Sequence, residues 1–237
     1  MVDTKVLIGV LTGEYARRAD FYDYFNQLTK PEGSIMMFCH DRSPAKGRNL
    51  IIEQALIHNC THVLFIDDDM AFKSEVLNQL LAHDLPIVSG LYFSRAYPHQ
   101  PLIFDEADET GACLYSYLTG KEPNLKPIVA AGFGFLLVNT NVFKAMKKPW
   151  VRLGELNNEE WCDDIGFFNR VRQELNSPIF CDMEVMCGHI GTMIVWPVKK
   201  DGVWMTGYDT SGRGMISTPQ LTPELISESE AKTRGIS

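Results

Sequence analysis

The sequence predicts an α/β protein built on a mostly parallel sheet that is flanked by helices. Four short stretches, at 5–11, 34–39, 61–66 and 87–93, are rich in apolar residues and carry little charge, which is typical of strands buried on both faces. Stretches with helical spacing lie between them, and this alternation is typical of a doubly wound sheet. The 237 residues suit one domain. We place it at 1–197, and expect a loop and a partly disordered C-terminal tail at 198–237.

The first half of the chain supplies the predicted nucleotide side of the sheet. The strand at 5–11 ends in Thr12–Gly13, and a small loop after a first strand is a common place for a nucleotide. A later helix begins at Pro44, a residue favoured at the first helical position. It carries Arg48 near its start, where a cation is poorly placed for the helix dipole. The pattern leaves two alternatives open, a nearby anion such as a phosphate and an exposed basic surface.

The second half is less regular. Residues 97–126 contain several prolines, glycines and acids, which indicates a β-hairpin excursion or a mobile flap. Buried-strand composition returns at 128–139, where Gly132 and Gly134 suggest a bulge or close approach of a ligand to the backbone. An acidic cluster at 158–164 then leads into an amphipathic helix, and its acids could simply satisfy the helix N-terminus.

Composition excludes some classes of protein and favours one compartment. A net charge of −8 argues against a general nucleic-acid binder, although DNA could still be a substrate. No apolar run approaches the roughly 20 residues that span a bilayer, and Met1 leads into a strand without a signal-peptide pattern. The cysteines are scattered, as is typical of buried thiols in a reducing compartment, so we expect a cytoplasmic protein. They are Cys39, Cys60, Cys113, Cys162, Cys181 and Cys187.

Three carboxylates follow the strand at 61–66 directly, at Asp67, Asp68 and Asp69. Adjacent carboxylates repel by roughly 4 kcal/mol per pair at an effective dielectric near 20, and the end of such a strand is where ligands bind in open α/β sheets. The triplet therefore predicts a divalent cation that holds a phosphorylated ligand. The alternative is a polar turn that caps the next helix. Neither the dinucleotide fingerprint nor the P-loop is present.

One histidine stands out near the end of the predicted domain. His189 lies between Gly188 and Ile190-Gly191, so we expect it to be accessible rather than a core residue. A neutral imidazole is a good metal ligand.

Taken in order, these residues resemble the GT-A glycosyltransferases, especially the small family-2-like enzymes common in bacteriophages. A DxD motif, a later acidic pair that heads a helix, and a final G-H-x-G form a specific signal in this order. The resemblance covers roughly residues 3–196. The matching stretches are Arg48-Asn49, THVLFIDDDM at 61–70, LPIVSGLYFSR at 85–95, AAGFGFLLVNTNVF at 131–143, DDIGFFNRVRQ at 163–173 and CDMEVMCGHIGT at 181–192.

The resemblance implies a GT-A (Rossmann-like) fold and a role for each matching residue. Asp69, His189 and Asp67 would hold Mn²⁺ or Mg²⁺, with Asp67 and Asp69 as the outer acids of the motif. Asp164 would deprotonate the acceptor, as in inverting members, but Asp163 stands where relatives carry Glu, so the choice between the two acids is left open. The remaining residues would contact the donor, and they are Thr12, Gly13, Arg48, Asp67, Asp68 and Gly134.

The resemblance thus implies a metal-dependent glycosyltransferase that moves a sugar from a nucleoside-diphosphate donor, with UDP-sugar favoured, to a hydroxyl acceptor. A modified DNA base, a glycan, a protein and a small molecule are all left open as acceptors, as is the oligomeric state. Two other functions compete with it. A haloacid-dehalogenase-like phosphatase also places Asp-x-Asp after an apolar strand, and a non-catalytic nucleotide-sugar-binding module would bind a donor without turnover.

Overall fold

The computed structural model describes residues 4–13, 19–40, 43–108, 111–152, 154–156, 159–161, 163–209 and 215–219. The helices in these ranges are α1 Ala19–Gln27, α2 Pro44–Ile57, α3 Val76–Ala82, α4 Thr140–Ala145 and α5 Asp163–Leu175. The first strands are β1 Val6–Thr12, β2 Ile35–His40, β3 His62–Asp67, β4 Met70–Ala71, β5 Ile87–Leu91, β6 Ile103–Ala107, β7 Cys113–Tyr115, β8 Leu125–Ile128 and β9 Ala130–Ala131. The later strands are β10 Phe135–Asn139, β11 Gly154–Leu156, β12 Glu159–Trp161, β13 Ile179–Met186, β14 Gly188–Ile190, β15 Ile194–Lys200, β16 Val203–Asp209 and β17 Met215–Pro219.

The predicted mostly parallel sheet is confirmed, with two reversed strands. The central sheet has seven strands in the order β2-β1-β3-β10-β5-β13-β8. Strands β1, β2 and β3 are parallel to one another, and β5 is parallel to β13. Strand β10 is antiparallel to both β3 and β5, and β8 is antiparallel to β13. Five of the seven strands therefore point the same way, and their carboxyl ends form one edge.

Helices cover both faces of this sheet, as a doubly wound fold requires. On one face, α2, α4 and α5 bury residues such as Ile51, Phe143 and Phe168. On the other face, α1 and α3 bury residues such as Phe21 and Leu77. Of the aromatic residues of α1, Phe21 and Phe25 are buried in the core, and Tyr22 and Tyr24 are partly buried against it.

Some predicted elements differ in the structure. The single strand predicted at 128–139 is divided. Strand β8 ends at Ile128, β9 covers only Ala130–Ala131, and β10 begins at Phe135 after a turn at 133–134. The irregular segment at 97–126 contains the antiparallel pair β6 and β7, so the hairpin alternative is the correct one. The loop predicted from 198 is wrong over 198–209, where β15 and β16 pair along their whole length. Residues 220–237 of the predicted tail lie outside the described residues, and the division at 197 stays a prediction.

A second sheet brings the end of the chain back to the acidic strand end. Its strand order is β17-β16-β15-β14-β4. Strand β4 comes directly after the acid triplet, and its pairing with β14 places His189 opposite Met70. This pairing is what carries His189 to the candidate site.

Two further observations concern composition. None of the described helices is long and apolar enough to cross a membrane. Within the described ranges the cysteines are free thiols, and all but the half-buried Cys113 are buried. Cys162 lies outside the described residues.

Candidate active site

A cleft opens at the carboxyl ends of β1, β3 and β5, and it gathers most of the predicted site residues. Its volume is about 430 Å³. The predicted residues that line it are Thr12, Gly13, Arg48, Asp67, Asp68, Asp69, Asp164 and His189. Tyr92, Arg95, Leu11, Pro44 and Leu102 complete the lining.

Arg48 and three carboxylates form the first part of the site, which we call the Arg48 cluster. One guanidinium nitrogen, Nη1, donates to Asp163 and to Oδ1 of Asp164, the latter at 3.2 Å, while Nη2 lies 3.3 Å from Oδ1 of Asp67. The guanidinium carbon lies 4.3 Å from the ring centroid of Phe133. The Arg48 side chain is only 5% exposed. The alternative of an exposed basic surface is therefore wrong for Arg48, and the compensating anions come from the chain itself.

The charges in the Arg48 cluster perturb one another strongly. Burial alone would lower the pKa of Arg48, but Asp164, Asp67 and Asp163 outweigh it and hold the pKa above its ordinary value. Burial raises the pKa of Asp164 to about 7, although Arg48 partly opposes the rise. Burial also raises the pKa of Asp67. The cluster therefore has more carboxylate charge than one guanidinium can balance.

The two acids that head α5 are not equivalent. The side chain of Asp163 is 8% exposed and that of Asp164 is 27% exposed. Only Asp164 lines the cleft, whereas Asp163 lies behind it against Arg48. A ligand in the cleft would therefore meet Asp164 first.

Asp69, His189 and Arg95 form the second part of the site, which we call the Asp69 cluster. Nε2 of His189 lies 3.6 Å from Oδ2 of Asp69, and Nη1 of Arg95 lies 2.9 Å from the same oxygen. The other ring nitrogen of His189, Nδ1, lies 2.9 Å from the carbonyl oxygen of Phe93. Since a carbonyl only accepts, Nδ1 carries a proton, and Nε2 is the ring nitrogen that faces Asp69.

The remaining predicted donor residues lie around these two clusters. The backbone nitrogen of Gly13 donates to Oδ2 of Asp68 at 3.2 Å. The Thr12 hydroxyl donates to the carbonyl of Cys39 at 3.3 Å, so it is directed toward β2. Gly134 is not part of the cleft lining. Its carbonyl accepts from the backbone nitrogen of Asp67 at 3.1 Å, which places Gly134 beneath the acid triplet.

Two polar residues of the cleft, Tyr92 and Arg95, had no assigned role in the sequence analysis. Tyr92 is 3% exposed, and its hydroxyl accepts the backbone N–H of Gly134 at 2.9 Å. Its ring also meets the ring of His189 edge to face at 5.5 Å. Arg95 is the ion-pair partner of Asp69. Both lie in the stretch at 85–95 that matches the family, and their position at the end of a buried strand was the signal that could have identified them.

Within the described residues, no group of three or more His, Cys, Asp or Glu side chains is arranged to hold a metal ion. Asp69 and His189 are thus a pair rather than a complete set of ligands. A cation held there would need further ligands from a bound molecule or from water.

Comparisons with known proteins identify the type of fold. No family model matches the sequence, and no curated protein matches it. The structure of A197 from STIV is 14% identical with a TM-score of 0.56, over 92% of this chain and 96% of that one. The structure of GalNAc-T7 with UDP, GalNAc and Mn²⁺ is 10% identical with a TM-score of 0.50, over 79% of this chain and 44% of that one. The chain therefore has a GT-A-like glycosyltransferase fold.

Proposed function

We propose that the protein is a metal-dependent glycosyltransferase that moves a sugar from a nucleoside-diphosphate donor, with UDP-sugar favoured, to a hydroxyl acceptor. One observation carries the proposal. Asp69 and His189, which are far apart in the sequence, converge to 3.6 Å at the edge of a 430 Å³ cleft. The GT-A-like fold supports the same conclusion, because GalNAc-T7, a structural neighbour, was crystallised with UDP and Mn²⁺.

The chemistry of the two side chains fits a divalent cation. A ligating histidine usually donates its other ring N–H to a carbonyl or carboxylate, and Nδ1 of His189 faces the Phe93 carbonyl in this way. The mixed oxygen and imidazole set suits Mn²⁺ better than Mg²⁺. When bound, such an ion would neutralise the diphosphate leaving group as a Lewis acid. The diphosphate and water would supply its remaining ligands.

The nucleotide would lie on the side of the cleft formed by Thr12, Gly13 and Asp68. Among the described residues, no atom outside Gly13 and its chain neighbours lies within 4 Å of the position that a Cβ would take at Gly13, so the described structure leaves space there. Asp68 is held beside this loop by the Gly13 N–H. Gly134 would contribute indirectly, since its carbonyl accepts from the Asp67 backbone N–H and so fixes the position of Asp67.

Asp164 is the better candidate for the base in an inverting reaction, and Asp163 would position it through Arg48. A general base works best when its pKa lies near the working pH, and burial raises the pKa of Asp164 to about 7. Arg48 Nη1 holds one oxygen of Asp164 at 3.2 Å, which fixes the carboxylate while it lines the cleft. Its ionised form would take the proton of the acceptor hydroxyl as the hydroxyl oxygen bonds to the sugar carbon and the bond from that carbon to the diphosphate breaks, which releases the nucleoside diphosphate.

The lining of the cleft also favours one class of acceptor. Asp67, Asp68, Asp69 and Asp164 line it, and the whole chain carries a net charge of −8. Such a surface repels a phosphate backbone. An uncharged glycan hydroxyl is therefore the favoured acceptor, ahead of a modified DNA base.

A panel of nucleotide sugars with Mn²⁺, read as release of the nucleoside diphosphate, tests the proposal. Asp69→Asn and His189→Gln should each abolish metal-dependent turnover and keep the thermal unfolding midpoint. His58→Gln is the matched control, because that side chain is exposed and His58 follows the end of α2, where its carbonyl accepts from Nζ of Lys5 beside the start of β1, at the opposite edge of the sheet from the cleft. Turnover like that of the wild type in either variant would refute the assignment.

The same assay separates the two other functions. Binding of UDP with Mn²⁺ but no turnover of any donor would indicate a binding module. Capture of a phosphate mimic on Asp67 would indicate a phosphatase. The phosphatase is less well supported, since Asp67 Oδ1 is already engaged by Arg48 at 3.3 Å.

A further inference from the structure

Arg95 occupies an unusual place beside the candidate metal ligands. It lies on a short turn after β5 that is closed by the Ser94 backbone nitrogen, which donates to the Gln100 carbonyl at 2.8 Å. Its Nη1 lies 2.9 Å from Oδ2 of Asp69, the same oxygen that faces Nε2 of His189 at 3.6 Å. The guanidinium therefore stands where the charge of a cation bound to Asp69 and His189 would be felt most strongly.

Oδ2 of Asp69 cannot coordinate a divalent ion and keep its short contact with the Arg95 guanidinium at the same time. A Mn²⁺ ion would approach Oδ2 of Asp69 to about 2.2 Å, and a guanidinium at hydrogen-bond distance from the same oxygen would be strongly repelled. The Arg95 side chain is 46% exposed, so it is free to turn away at little cost. Entry of the ion should therefore release Arg95 from Asp69.

The surroundings indicate where the released guanidinium would go. Arg95 lines the cleft of the candidate active site and also an adjoining cavity of about 490 Å³ that His99, Thr192 and Tyr208 help to line. Of the two arginines among the described residues of the cleft, Arg48 is held by three carboxylates. Arg95 is thus the arginine that can turn toward an anion in the cleft. Its planar fork suits a phosphate.

We propose that Arg95 exchanges partners during donor binding. In the cation-free protein it neutralises Asp69, and once a divalent ion takes Asp69 it pairs with the β-phosphate of the nucleoside diphosphate. This inference rests on the proposed function and adds a positioning residue to it. The exchange would keep Asp69 paired with a cation before the donor arrives and would select diphosphates over monophosphates.

Two binding measurements on Arg95→Ala test the exchange because they should change in opposite directions. Mn²⁺ binding to nucleotide-free protein, followed by the electron paramagnetic resonance signal of free Mn²⁺, should become about 2- to 5-fold tighter because the competing cation is gone. UDP binding at saturating Mn²⁺, followed by calorimetry, should become about 10- to 100-fold weaker because a charged hydrogen bond is lost. UMP, which has no β-phosphate, should bind equally well to both proteins.

Three comparisons make the outcome decisive. Arg95→Lys keeps the charge and should recover part of the UDP affinity, and Arg152→Ala, an exposed arginine, should match the wild type. Weaker binding of both Mn²⁺ and UDP by Arg95→Ala would mean that Arg95 merely supports Asp69, and equal losses for UDP and UMP would exclude the β-phosphate. Either result overturns the exchange of partners by Arg95. The proposed function is tested separately and is upheld if the wild type turns over a donor. A wild type that binds neither Mn²⁺ nor UDP would overturn both.

Discussion

The two charged clusters of the cleft use the same chemical groups in opposite ways. In the Arg48 cluster, a guanidinium that is 5% exposed is surrounded by three carboxylates. In the Asp69 cluster, a guanidinium that is 46% exposed pairs with one carboxylate. Breaking a buried ionic group is costly because a charge is left without compensation, whereas an exposed pair contributes little. The difference suggests a fixed half that holds Asp164, the proposed general base, and an exchangeable half that would receive the metal and the diphosphate.

The largest expected effect is a loss of turnover when the Arg48 cluster is changed, without a change in nucleotide affinity. Asp164→Asn should lower the turnover number by about 10²- to 10⁴-fold, the usual contribution of a general base, while the affinity for UDP with Mn²⁺ stays within error because the Asp69 cluster is intact. Asp163→Asn is the matched comparison. It should lower the free energy of unfolding but reduce the turnover number less than Asp164→Asn does, since Asp163 lies behind the cleft. Steady-state kinetics and calorimetry measure both. Full turnover in Asp164→Asn would point to Asp163 or to a retaining mechanism.

The next effect concerns stability. Arg48→Met should lower the free energy of unfolding by about 3–5 kcal/mol, because three carboxylates then share a buried site without a cation. Arg95→Met should change it by less than about 1 kcal/mol, since that pair is half exposed. Urea unfolding at neutral pH measures both. Equal losses in the two variants would remove the distinction between a fixed and an exchangeable half.

The part of the site that is contiguous in the sequence could be predicted, and the contacts between residues far apart in the sequence could not. The acid triplet is contiguous and follows an unmistakable buried strand, so its place at a sheet edge could be predicted. The contact of Arg48 with Asp163 and Asp164 joins residues 115 and 116 positions apart, and no local pattern shows that an early helix meets the start of α5. The resemblance named these residues, but only the fold shows that they neutralise one another.

The fold was predictable where strands are buried on both faces and less so elsewhere. Strand β10 has the same apolar composition as its parallel neighbours, and composition does not reveal direction, so its antiparallel insertion between β3 and β5 was missed. Strand β15 contains Pro197 and ends in two exposed lysines, Lys199 and Lys200, which weakened its strand signal and led to the loop prediction.

A smaller effect tests the charge excess of the Arg48 cluster in metal-free protein. Burial raises the pKa of Asp164 from its ordinary value near 4 to about 7, so the folded state holds a proton that the unfolded state releases. The stabilisation is therefore present at low pH and is lost as the pH rises through 7. Between pH 5 and pH 8 the wild type should lose about 2 kcal/mol more stability than Asp164→Asn. Urea unfolding at the two pH values measures this difference, and parallel losses would contradict the raised pKa.

The smallest effect concerns the contact between the two clusters. The Tyr92 hydroxyl accepts the buried Gly134 N–H at 2.9 Å, and its ring packs edge to face on His189. Tyr92→Phe keeps the ring but leaves that N–H without an acceptor, which should lower the free energy of unfolding by about 1 kcal/mol. Tyr115→Phe, at a side chain that is 50% exposed, should have no measurable effect. Because Gly134 also fixes the Asp67 backbone, Tyr92→Phe should weaken UDP binding slightly in the same calorimetric assay. Unchanged stability would show that Tyr92 acts on the site through its ring alone.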